Sequence, residues 1–568
     1  MGLSAHSLPL LRARCRSGRN ASRSFEITLW ETTGFLRLVQ VTNATTESNA
    51  VARRAGIVGL GTLASRILGA VRESVTAAFF PLAATDAFFV AFTIPNALRS
   101  ILGEGAVASA FVPVFTEARE KEGLERAKAF HRNLSGVFVA VLALVTVAGV
   151  TLAPWAVTLY AAGYRSDPER FGLATSLTRV VFPYIFFMGV AALGMGVLNA
   201  QKKFAVPAFA PALLNVAMIA APFLLVPICI GRGADPVMSL AWGALAGGLL
   251  QVLVQRPALA REGFGAWPRF DLRDPYVRKT LKLLGPLVLG LGVYQINLIL
   301  SRQIASFLPE GAQSFVYYAS RVVDLPLGVF SLAIGTAALP SLAEAKQRGS
   351  ADDVRAIAEN AHGLSLFVAM PASFVLFALA EPSIVVLFER GAFTHAVALE
   401  AASALGLQAL GIVAISSIRV IVPVYYAHND TRMPVIASTA NLVVFGVTAL
   451  ALLSTLGHLA ISLALSVASF AQLIVLYVAI RRRVGDVLRI GVVVKQALVT
   501  GVSAALAGAA AYLVARSLGT WSLGGNSLAN ILAFVTALTT AVVVYLGVAF
   551  LLKAPMLDPF VRAIKRRF

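Results

Sequence analysis

GLGTLASRILGAVRESVTAAFFPLAATDAFFVAFTIPNALRSILGE, residues 59–104, decides the fold. Two apolar runs joined by a short link from Pro81 to Thr85 carry Arg66, Arg72, Glu73, Asp86, Arg99 and Glu104. Arg66 lies near the middle of a run from about residue 56 to residue 80, long enough to cross the hydrocarbon of a bilayer. A charged side chain at mid-depth costs about 2.5–3.5 kcal/mol and normally faces a bundle interior or a wet cavity. Three arginines turned to lipid would cost roughly 5–10 kcal/mol, even with snorkelling by the outer ones. The stretch therefore predicts a basic, water-filled cavity inside a bundle of membrane helices.

The rest of the chain agrees with that setting. Of 568 residues, 58% are hydrophobic and 13% charged, and mean hydropathy is +0.78. Soluble domains carry about 25% charged residues, so the composition predicts an all-α polytopic membrane protein. The net charge of +20 fits cationic loops held against anionic membrane lipid and excludes nucleic acid as the expected partner. Cys15 and Cys229 are the only cysteines, the six histidines are scattered, and no metal, phosphate-loop or nucleophile-elbow motif is present, so neither a metal nor a cofactor is expected.

Apolar periodicity with Pro, Gly and charge breaks predicts about fourteen spans: 56–80, 85–116, 132–162, 174–200, 207–230, 237–256, 281–308, 313–345, 355–380, 397–427, 434–456, 459–481, 490–516 and 527–552. The second and eighth end in charged amphipathic tails. With Arg53-Arg54 ahead of the first span and the amino terminus inside, alternate loops are basic: Arg119 to Arg132, Lys202-Lys203, Arg256 to Lys279, Lys346 with Arg348, Arg432, and Arg481-Arg482-Arg483. The opposite loops hold only Arg165 and Arg170, offset by Asp167 and Glu169, then Arg232 and Arg390. This asymmetry predicts an even number of spans with both termini cytoplasmic.

An internal duplication is visible. Pro113 with Glu117-Ala118 recurs as Pro340 with Glu344-Ala345, Pro154 to Gly163 as Pro382 to Gly391, and Ala200 to Pro207 as Ala427 to Pro434, at offsets of 227, 228 and 227 residues. The unit holds six spans, so the two copies share one orientation: two parallel-repeat lobes plus two extra C-terminal helices. The expected divisions are a polar extension (1–50), a first lobe (51–256), a cytoplasmic linker (257–280), a second lobe (281–482), and a last helix pair with a basic tail (483–568).

The first lobe supplies Arg66, Arg72 and Arg99; the second supplies Arg302 and the run YYASRVVDLP, with Arg321 and Asp324 three residues apart on one helix face. Guanidinium groups hold phosphate oxygens in a planar, bidentate manner and stay charged when partly desolvated, so converging arginines favour an anionic substrate, phosphate or diphosphate first. Each arginine also has a plainer reading as a snorkelling or salt-bridged side chain; Arg302 and Arg99, nearer span ends, admit it as readily as the functional one. Asp86 and Glu104 are candidate gating partners for the cations, and Asp86 equally a cap where its own helix begins. Glu73 can pair locally. Asn199, Asn215, Asn297 and Asn441 suit cavity lining and interhelical hydrogen bonding alike.

These residues carry a resemblance. SRILGAVRE, TDAFFVAFTIPNALRSILGEGAVASAFVPVF, YYASRVVDLPLGVFSLAIGTAALPSL and FERGAF are similar to the MurJ/MviN lipid II flippases of the multidrug/oligosaccharidyl-lipid/polysaccharide exporter superfamily, over about residues 50 to 560. The resemblance implies fourteen helices, two six-helix lobes around a cavity that alternates between faces, and a groove with the last two helices for a polyprenyl tail. By motif, Arg66, Arg72, Asp86, Arg99 and Arg321 match the family's charged positions. Ser320 stands where the family commonly has an acid, which leaves local pairing of Arg321 to Asp324. Some relatives place sodium between acids on the seventh and eleventh helices, and 281–308 and 434–456 contain no Asp or Glu.

The expectation is a transporter, not an enzyme, that carries lipid-linked peptidoglycan precursor (lipid II) across the bacterial inner membrane for cell-wall synthesis. Lipid II is its expected substrate, and the cell-wall synthesis machinery a candidate partner. The alternatives are an exporter of another lipid-linked oligosaccharide, a multidrug exporter, or a membrane-embedded glycosyl- or acyltransferase.

Overall fold

The computed structural model describes residues 56–101, 107–519, 521 and 527–557. The expected N-terminal extension and basic tail lie outside the described residues, as do Arg53, Arg54 and Glu104. Contacts divide the chain into 1–61 and 62–568, and of the first unit the described residues 56–61 are helical.

Among the described residues every extended element is a helix: α1 (56–79), α2 (Leu82–Ile101), α3 (Val107–Thr151), α4 (Ala153–Tyr160), α5 (Pro168–Val181), α6 (Tyr184–Ala200), α7 (Ala205–Gly231), α8 (Met238–Arg261), α9 (Pro275–Ala305), α10 (Ala312–Pro326), α11 (Leu332–Gln347), α12 (Ala351–Ala378), α13 (Ala380–Phe388), α14 (His395–Leu410), α15 (Ile412–Ala427), α16 (Arg432–Leu456), α17 (His458–Arg483), α18 (Ile490–Leu518) and α19 (Leu528–Leu551). Several predicted spans are two helices end to end. Pro183 separates α5 from α6, and α10 passes into α11 through a π-helical turn, Leu327–Ser331, just after Pro326. A proline removes one backbone donor, and the helix adapts by widening locally.

Among the described residues, ten helical runs are long and apolar enough to cross a membrane. Of the helices not in that set, α1, α2, α9 and the α10–α11 pair bear the candidate charges. They carry Arg66, Arg72, Glu73, Asp86, Arg99, Arg302, Arg321 and Asp324.

The predicted break between 116 and 132 narrows to a single kinked residue. α3 runs through it and bends at Gly123, whose φ of 88° and ψ of 176° leave the helix. That backbone lies in the region open to glycine and strained for other residues. The charged tail folds against the linker: Arg126 pairs with Asp274 through two bonds of 2.9 and 2.8 Å. Asp274 also accepts from Asn133 at 2.9 Å and caps α9 through the Tyr276 N–H at 2.9 Å.

The duplication reappears as paired contacts between the lobes. Gly163 packs on the end of α9 so closely that an added Cβ would lie 2.3 Å from the Ser306 carbonyl oxygen. Gly391 packs on the end of α1, where a Cβ would lie 2.2 Å from the Ala78 carbonyl oxygen. Gly163 and Gly391 are 228 residues apart, and so are Ala78 and Ser306. Each lobe therefore presses the same glycine-bearing turn against the same helix end of the other. Outside the duplication, α18 packs on α12 and α19 on α18, with the Tyr545 hydroxyl donating to the Phe367 carbonyl at 2.6 Å.

Candidate functional site

α2 and α10 form the heart of the lobe interface. From Ala84 to Pro95 every α2 residue is buried, and from Ala312 to Ala319 every α10 residue is. Phe89 stacks on Tyr317 with ring centroids 3.8 Å apart and meets Tyr318 edge-on at 5.4 Å, worth about 0.5–1.5 kcal/mol per pair beyond area burial. Past these segments the packing loosens. Arg99 is half-buried, and the Arg321 and Asp324 side chains are 43% and 55% exposed. The interface is sealed at the Asp86 end and more open toward Arg99 and Asp324.

Asp86 holds the seal. Fully buried on α2, it accepts from Arg170 Nη2 at 2.7 Å, from the Gly311 and Ser314 N–H groups at 2.8 Å each, and from Ser314 Oγ at 2.6 Å. It caps a helix in the opposite lobe, α10, where the helix dipole favours an anion. The expectation that it partners the cavity arginines or caps its own helix is corrected accordingly. Its cation is Arg170, which sequence reasoning left among loop charges balanced by neighbouring acids. Asp167 in fact accepts from the Arg170 backbone N–H at 3.1 Å as the α5 cap, leaving the guanidinium for Asp86 and for the Tyr164 ring, 4.3 Å away. Two more bonds close this end: Ala162 N–H to Gln303 Oε1 at 2.7 Å and Gly163 N–H to Ser306 Oγ at 3.0 Å.

The predicted cations occupy different environments. Arg72 is nearly buried, ion-paired with Glu73, and donates to Asn215 Oδ1 at 3.0 Å. Glu73 also accepts from the Tyr317 hydroxyl at 2.9 Å, so in this state Arg72 is held in a network spanning both lobes and is not open to a ligand. Asn215 is an interhelical tie, its amide donating to the Ser65 carbonyl at 2.9 Å, and Asn297 binds Asn441 at 3.0 Å. Arg302 is buried and fastened to Gln313, with bonds of 3.0 Å to its side chain and 3.2 Å to its carbonyl. It is an internal clamp of the second lobe.

Arg99 donates to Asn96 Oδ1 at 2.8 Å. Arg321 pairs with Asp324 at 3.5 Å, as the three-residue spacing predicts, and lies 4.8 Å over the Tyr317 ring. It is close enough to Arg72 and Arg302 for mutual repulsion. Arg66 is half-buried and reaches across the lobes to the Gly328 carbonyl at 2.7 Å. Arg419 on α15, which sequence reasoning passed over, donates to the neighbouring Leu327 carbonyl at 2.7 Å. The signal was available: a lone arginine within IVAISSIRVIVPVYYA is the same kind of mid-span charge that singled out Arg66. These helices carry more guanidinium groups than carboxylates, which suits an anion, and the inventory of one-sign charge raises local anion concentration.

Comparison with known proteins agrees. The family model described as "Lipid II flippase MurJ" matches residues 75–533. A lipid II flippase MurJ of Burkholderia cenocepacia is 36% identical over 427 residues, covering 74% of this chain and 82% of that protein. A probable lipid II flippase MurJ of Bdellovibrio bacteriovorus is 33% identical over 508 residues, covering 88% and 95%. Among solved structures, a lipid II flippase MurJ in an inward closed conformation superposes with a TM-score of 0.72 at 24% identity, covering 89% of this chain and 99% of that one. An inward-facing multidrug resistance MATE family transporter of the MOP superfamily superposes at 0.59 with 17% identity, covering 74% and 95%. The all-helical, two-lobed fold is therefore shared with that wider group, and by sequence the chain belongs to the MurJ lipid II flippase family.

Proposed function

We infer that this chain moves lipid II from the inner to the outer leaflet of the bacterial cytoplasmic membrane by alternating access, supplying cell-wall synthesis. The observation that carries this reading is the gradient along the lobe interface. α2 and α10 are buried at the Asp86 end, and half-buried or exposed arginines follow at the other. The alternation of basic loops supports reading that second end as the cytoplasmic face, the state as inward-facing and both termini as inside.

Arg66, Arg99 and Arg321 then meet the diphosphate of the incoming lipid, and Arg72 joins them when its pairing with Glu73 exchanges. Asp86 with Arg170 forms the outer gate, and Asp324 holds Arg321 until substrate arrives. Glu104 keeps its role as a gating partner as an expectation from sequence. Residues 51–256 and 281–482 are the moving lobes, joined by the 257–280 linker. α18 and α19 accommodate the lipid tail and contact the cell-wall synthesis machinery, while the basic loops rest on anionic lipid. Membrane potential supplies a drive of about 2.3 kcal/mol per charge per 100 mV acting on the net positive site.

Depletion with complementation tests this, scoring lipid II accessible at the outer face. Loss of the protein should abolish accessible lipid II, and Arg66→Ala at normal expression should fail to restore it. Normal accessibility in the depleted cells refutes the assignment.

A further inference from the structure

At the π-helical turn Leu327–Ser331, arginines of both lobes reach for neighbouring atoms. Arg66 on α1 donates to the Gly328 carbonyl and Arg419 on α15 to the Leu327 carbonyl, each at 2.7 Å. A π-helical turn loosens the regular helical ladder and turns carbonyls outward, a feature concentrated at functional sites. Gly328 leaves room for the approach, since a Cβ there would lie 2.4 Å from Arg66 Nη1. Behind it α11 is pressed on α15, where a Cβ on Gly335 would lie 2.5 Å from the Arg419 carbonyl oxygen. The segment carrying Arg419 is therefore fixed while the side chain is half-buried.

Two carbonyls are poor partners for two guanidinium groups. A carbonyl is neutral and uses one of the five N–H donors that each arginine presents. Neither Arg66 nor Arg419 has a carboxylate partner among the described residues. A phosphate oxygen pair would satisfy both through bidentate, charge-assisted bonds of about twice the strength of neutral ones.

We propose that Arg419 is a further substrate-binding residue, the second-lobe half of an anion site completed by Arg66, and that a lipid-linked diphosphate displaces both side chains from the carbonyls of Leu327 and Gly328. The proposal rests on the lipid II reading above and extends it, because an anion held between α1 and α15 ties the lobes together at the level of the π-helical turn. Loading thereby favours lobe closure, and the empty protein keeps its cations parked on backbone oxygen.

The test is the affinity of purified lipid II for the full chain in nanodiscs, with melting midpoints recorded alongside. Arg66→Gln and Arg419→Gln should each weaken binding about tenfold or more. The double variant should lose less than the product of the two, since both grip one group. Arg419→Lys, which keeps the charge without the planar fork, should fall between. Wild-type affinity for Arg419→Gln with a lowered melting midpoint, while Arg66→Gln is weakened, overturns the proposal and leaves the lipid II reading standing: Arg419 would be a brace. Wild-type affinity in both variants overturns the two together. If Arg419→Gln does not fold, phenylglyoxal labelling of the wild-type protein decides. Lipid II should protect both Arg66 and Arg419, and equal labelling of Arg419 with and without it overturns the proposal.

Discussion

Gly163→Ala isolates the outer seal. The residue sits in the short turn Ala162–Ser166 and is absent from the positive-φ positions, so alanine adds little local backbone strain. Its cost falls on the closed state. A Cβ would lie 2.3 Å from the Ser306 carbonyl oxygen and 2.5 Å from its carbon, backbone atoms that cannot step aside as a flexible side chain would. The lobes must separate there, breaking the Gly163 N–H to Ser306 Oγ and Ala162 N–H to Gln303 Oε1 bonds. At a net 0.5–1.5 kcal/mol each, the two bonds amount to about 1–3 kcal/mol. Such a shift changes the ratio of closed to open protein about 5- to 150-fold. A cysteine reports it: Ala84→Cys, at a position 5% exposed on α2 beside the seal, in a Cys15→Ser, Cys229→Ser background. Labelling by a membrane-impermeant maleimide from the outer face should rise by that factor when Gly163→Ala is added. Gly391→Ala, the symmetric contact, should do the same with an added penalty, because Gly391 has φ +59°. Unchanged labelling in a folded Gly163→Ala protein refutes the seal.

Other consequences follow from individual contacts. Asp86→Ala strands Arg170, whose side chain is 14% exposed, and should cost about 3–5 kcal/mol of closed-state stability; Asp86→Ala with Arg170→Ala should recover part of it in a melting-midpoint cycle. Tyr317→Phe keeps the ring stacked on Phe89 and removes the bond to Glu73. It should destabilise by about 1.5–3 kcal/mol, whereas no change in melting would show that the Glu73 network is not maintained. On the linker, burial pushes the Asp274 carboxyl up, but the bonds from Arg126 and Asn133 outweigh it and hold the group below its ordinary 3.8. A depressed value means that the linker contact is at full strength above about pH 3.9 and is lost as pH falls through the lower folded value. Proteolysis of the 257–280 segment by an acid-active protease should therefore accelerate across that window in the wild type but start fast in Asp274→Asn.

The sequence disclosed what depends on pattern. The helical, membrane-spanning character follows from hydropathy, and the duplicated Pro-to-Gly turns announced the two lobes; their glycines prove to be the mutual contacts at Ser306 and Ala78. What escaped depends on which chemically suitable partner lies near in space. Asp86 had a plausible use at its own helix start, but α10 of the other lobe presents two N–H groups and a hydroxyl to it. Arg170 read as a solvated loop charge, because no periodicity signals that Asp167 spends its carboxylate on a cap. Arg72 and Arg321, alike in sequence, meet different acids: Glu73 is buried against the first, and Asp324 half-faces solvent beside the second. The 117–131 stretch is legible in the sequence as the charged amphipathic tail of a helix, and only its kink at Gly123 is not.

The arginine site itself is tested most directly by the rate at which fluorescent lipid II crosses proteoliposome membranes. Arg66→Ala, reconstituted at wild-type levels with an unchanged melting midpoint, should slow crossing at least tenfold, and Arg66→Lys should recover part of the rate. Wild-type crossing by the alanine variant would contradict the account.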